Sequence, residues 1–321
     1  METREIRLAR RPHGEPVADD FELATRELSP GAEGKLLVRN RFMSVDPYMR
    51  GRMSDRKSYV PPFELGKAMQ GGAVGELEDG TLVLHGRGWR EHALLPEGEV
   101  RRIEVPDGIS PSAFLGALGM PGMTAWVGLT EIAPIREGET VFISAATGAV
   151  GSVAGQLAKA RGCRVIGSAG GPEKVRFARE ELGYDEVFDY RADDPREALA
   201  EGIDVYFDNV GGPQLEAAIG AIRRGGRIAL CGAVSQYNAT EPAPGPRNIG
   251  LMVGKRVNMR GFIVSDHEAR AGEFQEEVGG LIAAGRLKLA ETVVEGGIEA
   301  APGAFIDMLR GRYLGKVVVA L

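Results

Sequence analysis

Apolar residues in this 321-residue chain follow two rhythms. From about Glu139 to Val264, short apolar runs alternate with stretches of helical period. TVFIS (140–144), CRVIGSA (163–169), EVFDY (186–190), DVYFDNV (204–210), GRIALCG (226–232) and VNMRGFIV (257–264) read as strands. The segments between the first five read as helices, and this alternation predicts a parallel sheet covered on both faces. After the first strand, Val150, Val153, Ala154, Leu157 and Ala158 recur at i, i+3, i+4, i+7 and i+8, one apolar stripe of an amphipathic helix. The order there is strand, tight Gly turn, helix.

Residues 1 to about 110 keep a different rhythm. GKLLVRN (34–40), TLVLHG (81–86) and EHALLP (91–96) are short strands set among Gly, Pro and charge clusters, which predicts a compact β-rich domain. The end of the chain gives a helix, AFIDMLRGR (304–312), and a last strand, KVVVAL (316–321). With no partner strand nearby in sequence, that strand is expected to return to the first domain. No internal repeat is present.

Length and composition fit a folded protein of two domains. The 46 glycines and 18 prolines stay short of the level that marks low complexity. The opening METREIRLARRPHGEPVADD mixes charges of both signs without an apolar segment, so no signal or transit peptide is expected. No window approaches eighteen apolar residues, so no membrane partner is expected, and the cytoplasm is the expected compartment. The net charge of -6, with Lys and Arg scattered along the chain, argues against a nucleic-acid partner. The two cysteines, Cys163 and Cys231, lie inside apolar runs and read as buried reduced thiols in core strands; two cannot build a four-thiolate zinc site.

The Gly turn carries the first chemical signal. In SAATGAVGSVAGQLAK (144–159), Ala146, Gly148 and Gly151 occupy the three positions of the G-x-G-x-x-G fingerprint. The second position lacks a side chain so that backbone amides at the helix N-terminus can meet a pyrophosphate. A tight strand-to-helix turn in any α/β protein is the alternative, and the place on the first strand of a βαβ series favours the dinucleotide. The next strand runs into Ser168-Ala169-Gly170-Gly171, without the carboxylate that holds a ribose 2′-hydroxyl. Lys174 follows Gly170 by four residues, and Tyr190 ends the third strand. A cation and a phenol around a missing acid describe a 2′-phosphate pocket and point to NADP(H); a solvated lysine and a strand-end tyrosine are the plainer alternatives.

The segments SVDPYMRGRM (44–53), LGMPGMTAW (118–126), AATGAVGSVAGQLAK (145–159), EKVRF (173–177), VYFDNVGG (205–212), IALCGAVSQYN (228–238) and LGKVVV (314–319) run along nearly the whole chain. In them the sequence resembles the zinc-independent medium-chain dehydrogenase/reductases. Within that family it is similar to the branch of leukotriene B4 12-hydroxydehydrogenase/15-oxo-prostaglandin 13-reductase, alkenal double-bond reductases and curcumin reductases. The resemblance implies an α/β fold: a GroES-like β-rich catalytic domain, residues 1–112 completed by 290–321, and a Rossmann doubly wound parallel sheet over 113–289. It implies NADPH as cofactor. Thr147, Gly148, Ala149 and Val150 would line the pyrophosphate, and Lys174 and Tyr190 beside Gly170 the 2′-phosphate. Asn209 with Cys231, Gly232, Ala233 and Ser235 would face the ribose and nicotinamide. Phe262, Ile263 and Val264, with Leu314 and Gly315, would close over the nicotinamide, and Met123 and Thr124 would face the same end. The chain departs from its relatives at Tyr313, where they often carry Asn. The link GGAVGELEDGTLVLHGRGW (71–89) is also short.

Where zinc-dependent relatives hold catalytic metal, this chain has Ser44-Val45-Asp46-Pro47-Tyr48 and Gly66-Lys67-Ala68, and none of His13, His85, His92 and His267 has ligand spacing to another. No metal is expected, and His85 and His92 read as strand-surface residues. Without a metal, a conjugated enone is the tractable substrate: hydride adds to the β-carbon, charge collects on the carbonyl oxygen, and a proton reaches the α-carbon. Tyr48 and Tyr237, phenols protonated at neutral pH, are the candidate donors to that oxygen. They could instead pack beneath the cofactor or wall the pocket, with the ribose 2′-hydroxyl as donor. Arg247, in the Pro-rich stretch TEPAPGPRNIG (240–250), could meet a substrate carboxylate or stand exposed. The expectation is an NADPH-dependent enone reductase acting on a small molecule; the rivals are a quinone reductase on the same scaffold and a non-catalytic NADPH-binding protein. Homodimerisation through VNMRGFIV is expected by analogy.

Overall fold

The computed structural model describes residues 1–29, 31 and 33–321. The chain divides into two units. The first is Met1–Leu115 with Glu291–Tyr313 and Val317–Leu321; the second is Gly116–Ala290 with Leu314–Lys316. The sequence expectation had given all of 290–321 to the first domain, without the return of Leu314–Lys316 to the second.

The chain opens with an antiparallel pair that the apolar pattern did not announce, β1 (Glu2–Leu8) and β2 (Phe21–Glu27), in register from Glu2 opposite Glu27 to Leu8 opposite Phe21. Its charged faces hid the alternation, yet Ile6 and Leu8 are fully buried. There follow β3 (Lys35–Ser44), longer than GKLLVRN, then α1 (Tyr48–Arg52), β4 (Ala73–Glu76), β5 (Leu82–His85), β6 (His92–Pro96) and β7 (Arg101–Arg102). A core of Met43, Met49, Met53, Phe63, Trp89 and Phe305 fills this unit, with Phe21 stacked on Trp89 at 6.1 Å.

The second unit begins with α2 (Met120–Val127), which runs on into a π-type turn over Gly128–Ile132. The βαβ series follows: β8 (Thr140–Ile143), α3 (Gly151–Ala160), β9 (Arg164–Ala169), α4 (Pro172–Glu180), β10 (Glu186–Asp189), α5 (Pro195–Ala198), β11 (Ile203–Asp208), α6 (Gly212–Ala221), β12 (Ile222–Leu230), α7 (Leu251–Lys255) and β13 (Asn258–Gly261), before α8 (Ala271–Ala283). The spatial order is β10-β9-β8-β11-β12-β13, every pair parallel. This is the doubly wound order in which the strand sequence reverses beside the first strand, here β8. Val141, Ile143, Val205 and Phe207 enter one core and Phe142 and Tyr206 the other, so consecutive residues are buried on opposite faces. Phe142 stacks on Tyr206 across the β8–β11 pair at 4.7 Å.

VNMRGFIV is strand only over Asn258–Gly261; Phe262 and Ile263 lie beyond it, and Val264 begins a 3-10 turn. Cys231, expected inside a strand, is the residue after β12 and is partly exposed, whereas Cys163 is buried; both thiols are free.

The chain then returns to the first unit through β14 (Glu291–Val294), α9 (Ala301–Leu309) and β15 (Lys316–Ala320). β15 pairs antiparallel with β3, Val318 opposite Ser44, as the expected return requires. Its other neighbour is β14, a partner strand close in sequence that the apolar pattern missed. The sheet runs β14-β15-β3-β4-β5-β7, with β6 also pairing β3. His85 is buried in this sheet and is not a surface residue. Its Nδ1 accepts from the Arg87 amide at 3.0 Å, so Nε2 carries the proton and donates to Asn40 Oδ1 at 2.9 Å.

Candidate active site

The loops at the carboxyl ends of the parallel strands, where an open α/β sheet binds ligands, carry most of the residues singled out in the sequence; Tyr48, Met123, Thr124, Lys174, Leu314 and Gly315 come from other elements. After β8 the backbone turns through Ala145, whose φ of 51° is left-handed. The Ala146 amide donates to Ser168 O at 2.8 Å and the Gly148 amide to Ala145 O at 2.9 Å, so the turn is tied to β9 and to itself. A Cβ at Gly151 would run into the Ala145 carbonyl, which is why the helix can begin this close to the strand. Val153, Ala154, Leu157 and Ala158 bury the predicted stripe of α3. The Ser152 amide donates to Gly148 O at 2.9 Å and the Ala154 amide to Val150 O at 2.9 Å, so the turn Thr147–Val150 winds directly into α3 and stands at its N-terminus, the end of a helix that favours an anion.

Leu314 and Gly315 return to this turn. The Gly315 amide donates to Thr147 O at 2.7 Å, and Gly148 and Gly315 form a parallel bridge. Gly315 has φ 67°, and a Cβ there would strike the Ala290 backbone.

At the end of β9, a Cβ on Gly170 would lie 2.8 Å from Tyr190 Oη and 3.0 Å from Arg191 Nε, so glycine keeps a cradle open between them. Lys174, half-buried in the first turn of α4, has its ammonium pushed below the usual range by burial and by the charge of Arg191. Arg191 was missed in the sequence; its only signal there is adjacency to Tyr190. Asp189, the acid nearest this point, is occupied in holding backbone, its Oδ1 accepting from the Gly171 and Arg191 amides at 3.0 Å each. Two cations and a phenol with no available carboxylate fit a 2′-phosphorylated ribose.

The nicotinamide-side residues gather at the ends of β11 and β12. Buried Asp208 accepts on Oδ1 from Tyr206 Oη (2.6 Å), the Val210 amide (2.9 Å) and the Gly211 amide (2.7 Å), and burial raises its carboxyl above the usual range. Asn209 is locked by its amide to Ser144 Oγ (2.9 Å) and by Nδ2 to Ser144 O (2.8 Å). The Cys231 and Gly232 amides both donate to Asp208 O, and Ser235 Oγ donates to Val210 O at 2.6 Å. The two loops are one hydrogen-bonded body. Tyr237 reaches into it: a Cβ at Gly232 would lie 3.2 Å from Tyr237 Oη and 3.3 Å from Asn209 O. The Cys231 thiol, pushed up to about 12 by burial and Asp208, stays protonated.

Phe262 packs edge-on against Phe207 at 6.4 Å, and it and Val264 join the core of this unit; Ile263 between them is partly buried. Met123 and Thr124 are buried in α2, the Thr124 hydroxyl donating to Met120 O at 2.7 Å. Arg247 is exposed, with its amide on Glu216.

Tyr48 lies in the first unit at the start of α1, partly buried against its core, and Tyr313 packs on the same core. Burial and Asp46 hold the Tyr48 phenol well above the usual range, with Arg52 opposing them. Ser44 Oγ donates to Asp46 Oδ2 beside it. Among the described residues no three His, Cys, Asp or Glu side chains converge as metal ligands.

Comparison with known proteins agrees along the whole chain. A family described as the N-terminal domain of oxidoreductase matches residues 4–103, and one described as zinc-binding dehydrogenase matches 149–282. The NADPH-dependent curcumin reductase of Escherichia coli is 42% identical, over 97% of this chain and 95% of its own. A NADP(+)-dependent 2-alkenal reductase of Nicotiana tabacum is 38% identical, over 95% of each. The crystal structure of CurA from Vibrio vulnificus in complex with NADPH superposes with a TM-score of 0.94 at 43% identity, covering 99% of this chain and 98% of that one.

Proposed function

Since the chain belongs to the zinc-independent medium-chain dehydrogenase/reductases, in the branch of the curcumin, 2-alkenal and prostaglandin reductases, we propose that it reduces the C=C bond of α,β-unsaturated ketones and aldehydes with NADPH. Bound at the carboxyl ends of the strands, NADPH supplies the hydride. Thr147–Val150 and the start of α3 would hold its pyrophosphate, Lys174, Arg191 and Tyr190 its 2′-phosphate, and Asn209 with the loop Cys231–Ser235 its nicotinamide side.

The remaining work falls to this chain's own phenols. As the β-carbon becomes saturated, negative charge gathers on the carbonyl oxygen, and a donor fixed there lowers the barrier, each such donor contributing on the order of 10²–10³ in rate. The observation that carries the reading is the Tyr237 hydroxyl beside Gly232 and Asn209, on the loop assigned to the nicotinamide. Tyr48, on the first unit, is the other phenol proposed as a donor, and burial disfavours its anion, so it keeps its proton throughout the neutral range.

The reading is tested by steady-state turnover of a panel of enones with NADPH and with NADH, and of a benzoquinone as control. Enone reduction with a strong NADPH preference is expected. Oxidation of NADPH by the quinone alone would replace the reading with a quinone reductase, and NADPH binding without turnover would leave a binding protein.

We also infer a homodimer, with a second copy pairing along β13. This strand is at one edge of the sheet, with only β12 beside it, and Ile249, Leu251 and Val253 are exposed next to it in sequence. Light scattering of the protein and of a Met259→Pro variant decides this, with a monomeric variant expected. The two free thiols suit a reducing compartment and support the cytoplasm as its place. No helix among the described residues is long and apolar enough to cross a membrane.

A further inference from the structure

We propose that Asp189 is a positioning residue for cofactor choice: by holding the backbone of Gly171 and Arg191 together, it aims the Arg191 guanidinium at the 2′-phosphate. The inference rests on the reading of Gly170, Lys174, Tyr190 and Arg191 as the pocket for that phosphate.

Asp189 is the last residue of β10 and is half-buried. One carboxylate oxygen, Oδ1, ties two strand ends together: it accepts from the amide of Gly171, the residue before α4, and from the amide of Arg191, each at 3.0 Å. The main chain of Asp189 closes a turn around Arg191. Its amide donates to Asp193 Oδ2 at 2.8 Å, and its carbonyl accepts from the Ala192 and Asp193 amides at 2.9 and 2.8 Å. From this turn the Arg191 side chain lies back over the glycines, its Nε 3.0 Å from where a Cβ on Gly170 would stand and its Nη1 3.8 Å from one on Gly171. The guanidinium carbon is 5.9 Å from the centre of the Tyr190 ring.

Arg191 is exposed, and a long cationic side chain on an unrestrained loop spreads over many rotamers that binding must then freeze out. Tying its amide to the same oxygen as the Gly171 amide fixes the direction in which the side chain leaves the backbone. Less is then lost when the guanidinium meets phosphate. The role needs an acceptor at the Oδ1 position and not a negative charge. A carboxylate close to a bound phosphate opposes it, so asparagine, whose carbonyl oxygen has the same reach, satisfies both amides without that repulsion. Alanine leaves both amides without this partner, and glutamate carries the oxygens one methylene too far.

The test is direct binding by calorimetry to wild type, Asp189→Ala, Asp189→Asn, Arg191→Gln and the Asp189→Ala/Arg191→Gln double variant, after thermal melts show each folded. The probes are adenosine 2′,5′-bisphosphate and 5′-AMP, which differ only in the 2′-phosphate. Asp189→Ala is expected to weaken the bisphosphate roughly ten-fold and to leave 5′-AMP unchanged. Asp189→Asn should bind the bisphosphate at least as tightly as wild type. In the Arg191→Gln background, Asp189→Ala should add less than about two-fold. Wild-type discrimination in Asp189→Ala, equal losses for both probes, losses that multiply in the double variant, or an Asp189→Asn as weak as Asp189→Ala would each overturn the role of Asp189, while a selective loss in Arg191→Gln keeps the pocket. Bisphosphate bound no tighter than 5′-AMP by wild type, or equally by wild type and Arg191→Gln, overturns the reading of the pocket itself. Should Asp189→Ala fail to fold, Asp189→Glu carries the same comparison in both backgrounds.

Discussion

The hydroxyl of Tyr184 donates to the carbonyl of Gly151 at 2.7 Å, joining the residue after α4 and its turn to the first residue of α3. The same ring fills the space a side chain at Gly155 would need. The turn between β8 and α3, to which the pyrophosphate is assigned in the proposed function, is thus braced from behind by a buried tyrosine. Gly155→Ala should force that ring aside and destabilise the protein by about 1–3 kcal/mol, seen as a lower urea midpoint. Tyr184→Phe should cost about 1 kcal/mol and weaken NADPH binding. Unchanged midpoints in both variants would mean that the turn is held by other contacts.

Arg191 and Lys174 flank the cradle at Gly170, so each should discriminate between the two nicotinamide cofactors. Arg191→Gln and Lys174→Gln should each raise KM for NADPH by roughly ten- to a hundred-fold, as expected for losing a charge-assisted bond to phosphate. KM for NADH should move little. Kinetics with both cofactors measure this directly, and parallel losses for NADPH and NADH would place the 2′-phosphate elsewhere.

Tyr237→Phe removes the hydroxyl beside Gly232 while keeping the ring. Enone turnover should fall on the order of 10²-fold with KM for NADPH within about two-fold of wild type. A rise in KM alone would mark Tyr237 as a wall of the pocket.

His85 makes stability pH-dependent. Burial, with Arg90 and Arg87 nearby, lowers its folded-state value from 6.5 to about 4. Between those values the unfolded chain binds a proton that the folded one cannot accept without losing the Arg87 amide bond to Nδ1. Stability is therefore full above about pH 6.5 and declines as pH falls toward 4, by at most about 3 kcal/mol from this group. Urea unfolding of wild type and His85→Gln from pH 4.5 to 7.5 tests it: the variant should start less stable and show the shallower slope.

Much of this site was legible in the sequence because its signals are local. The small residues Gly148 and Gly151 answer to a turn whose atoms lie within a few positions of one another, and the α3 stripe repeats within ten residues. Lys174 and Tyr190 were found because each sits at a fixed step from a strand end. Arg191 was passed over, although it is next in the chain, because only the folded meeting of β9 and β10 turns it toward Gly170.

By itself the sequence determined the alternation of strands and helices, the small-residue turn from β8 into α3 and the absence of an acid at the end of β9, since all three are properties of short stretches of backbone. Only the tertiary structure decided that His85 is buried and neutral, that Tyr184 braces the turn, that β14 lies beside β15, and that Tyr237 stands over Gly232. Those depend on burial and on contacts between segments distant along the chain, and neither the period of apolar residues nor the spacing of a motif contains that information.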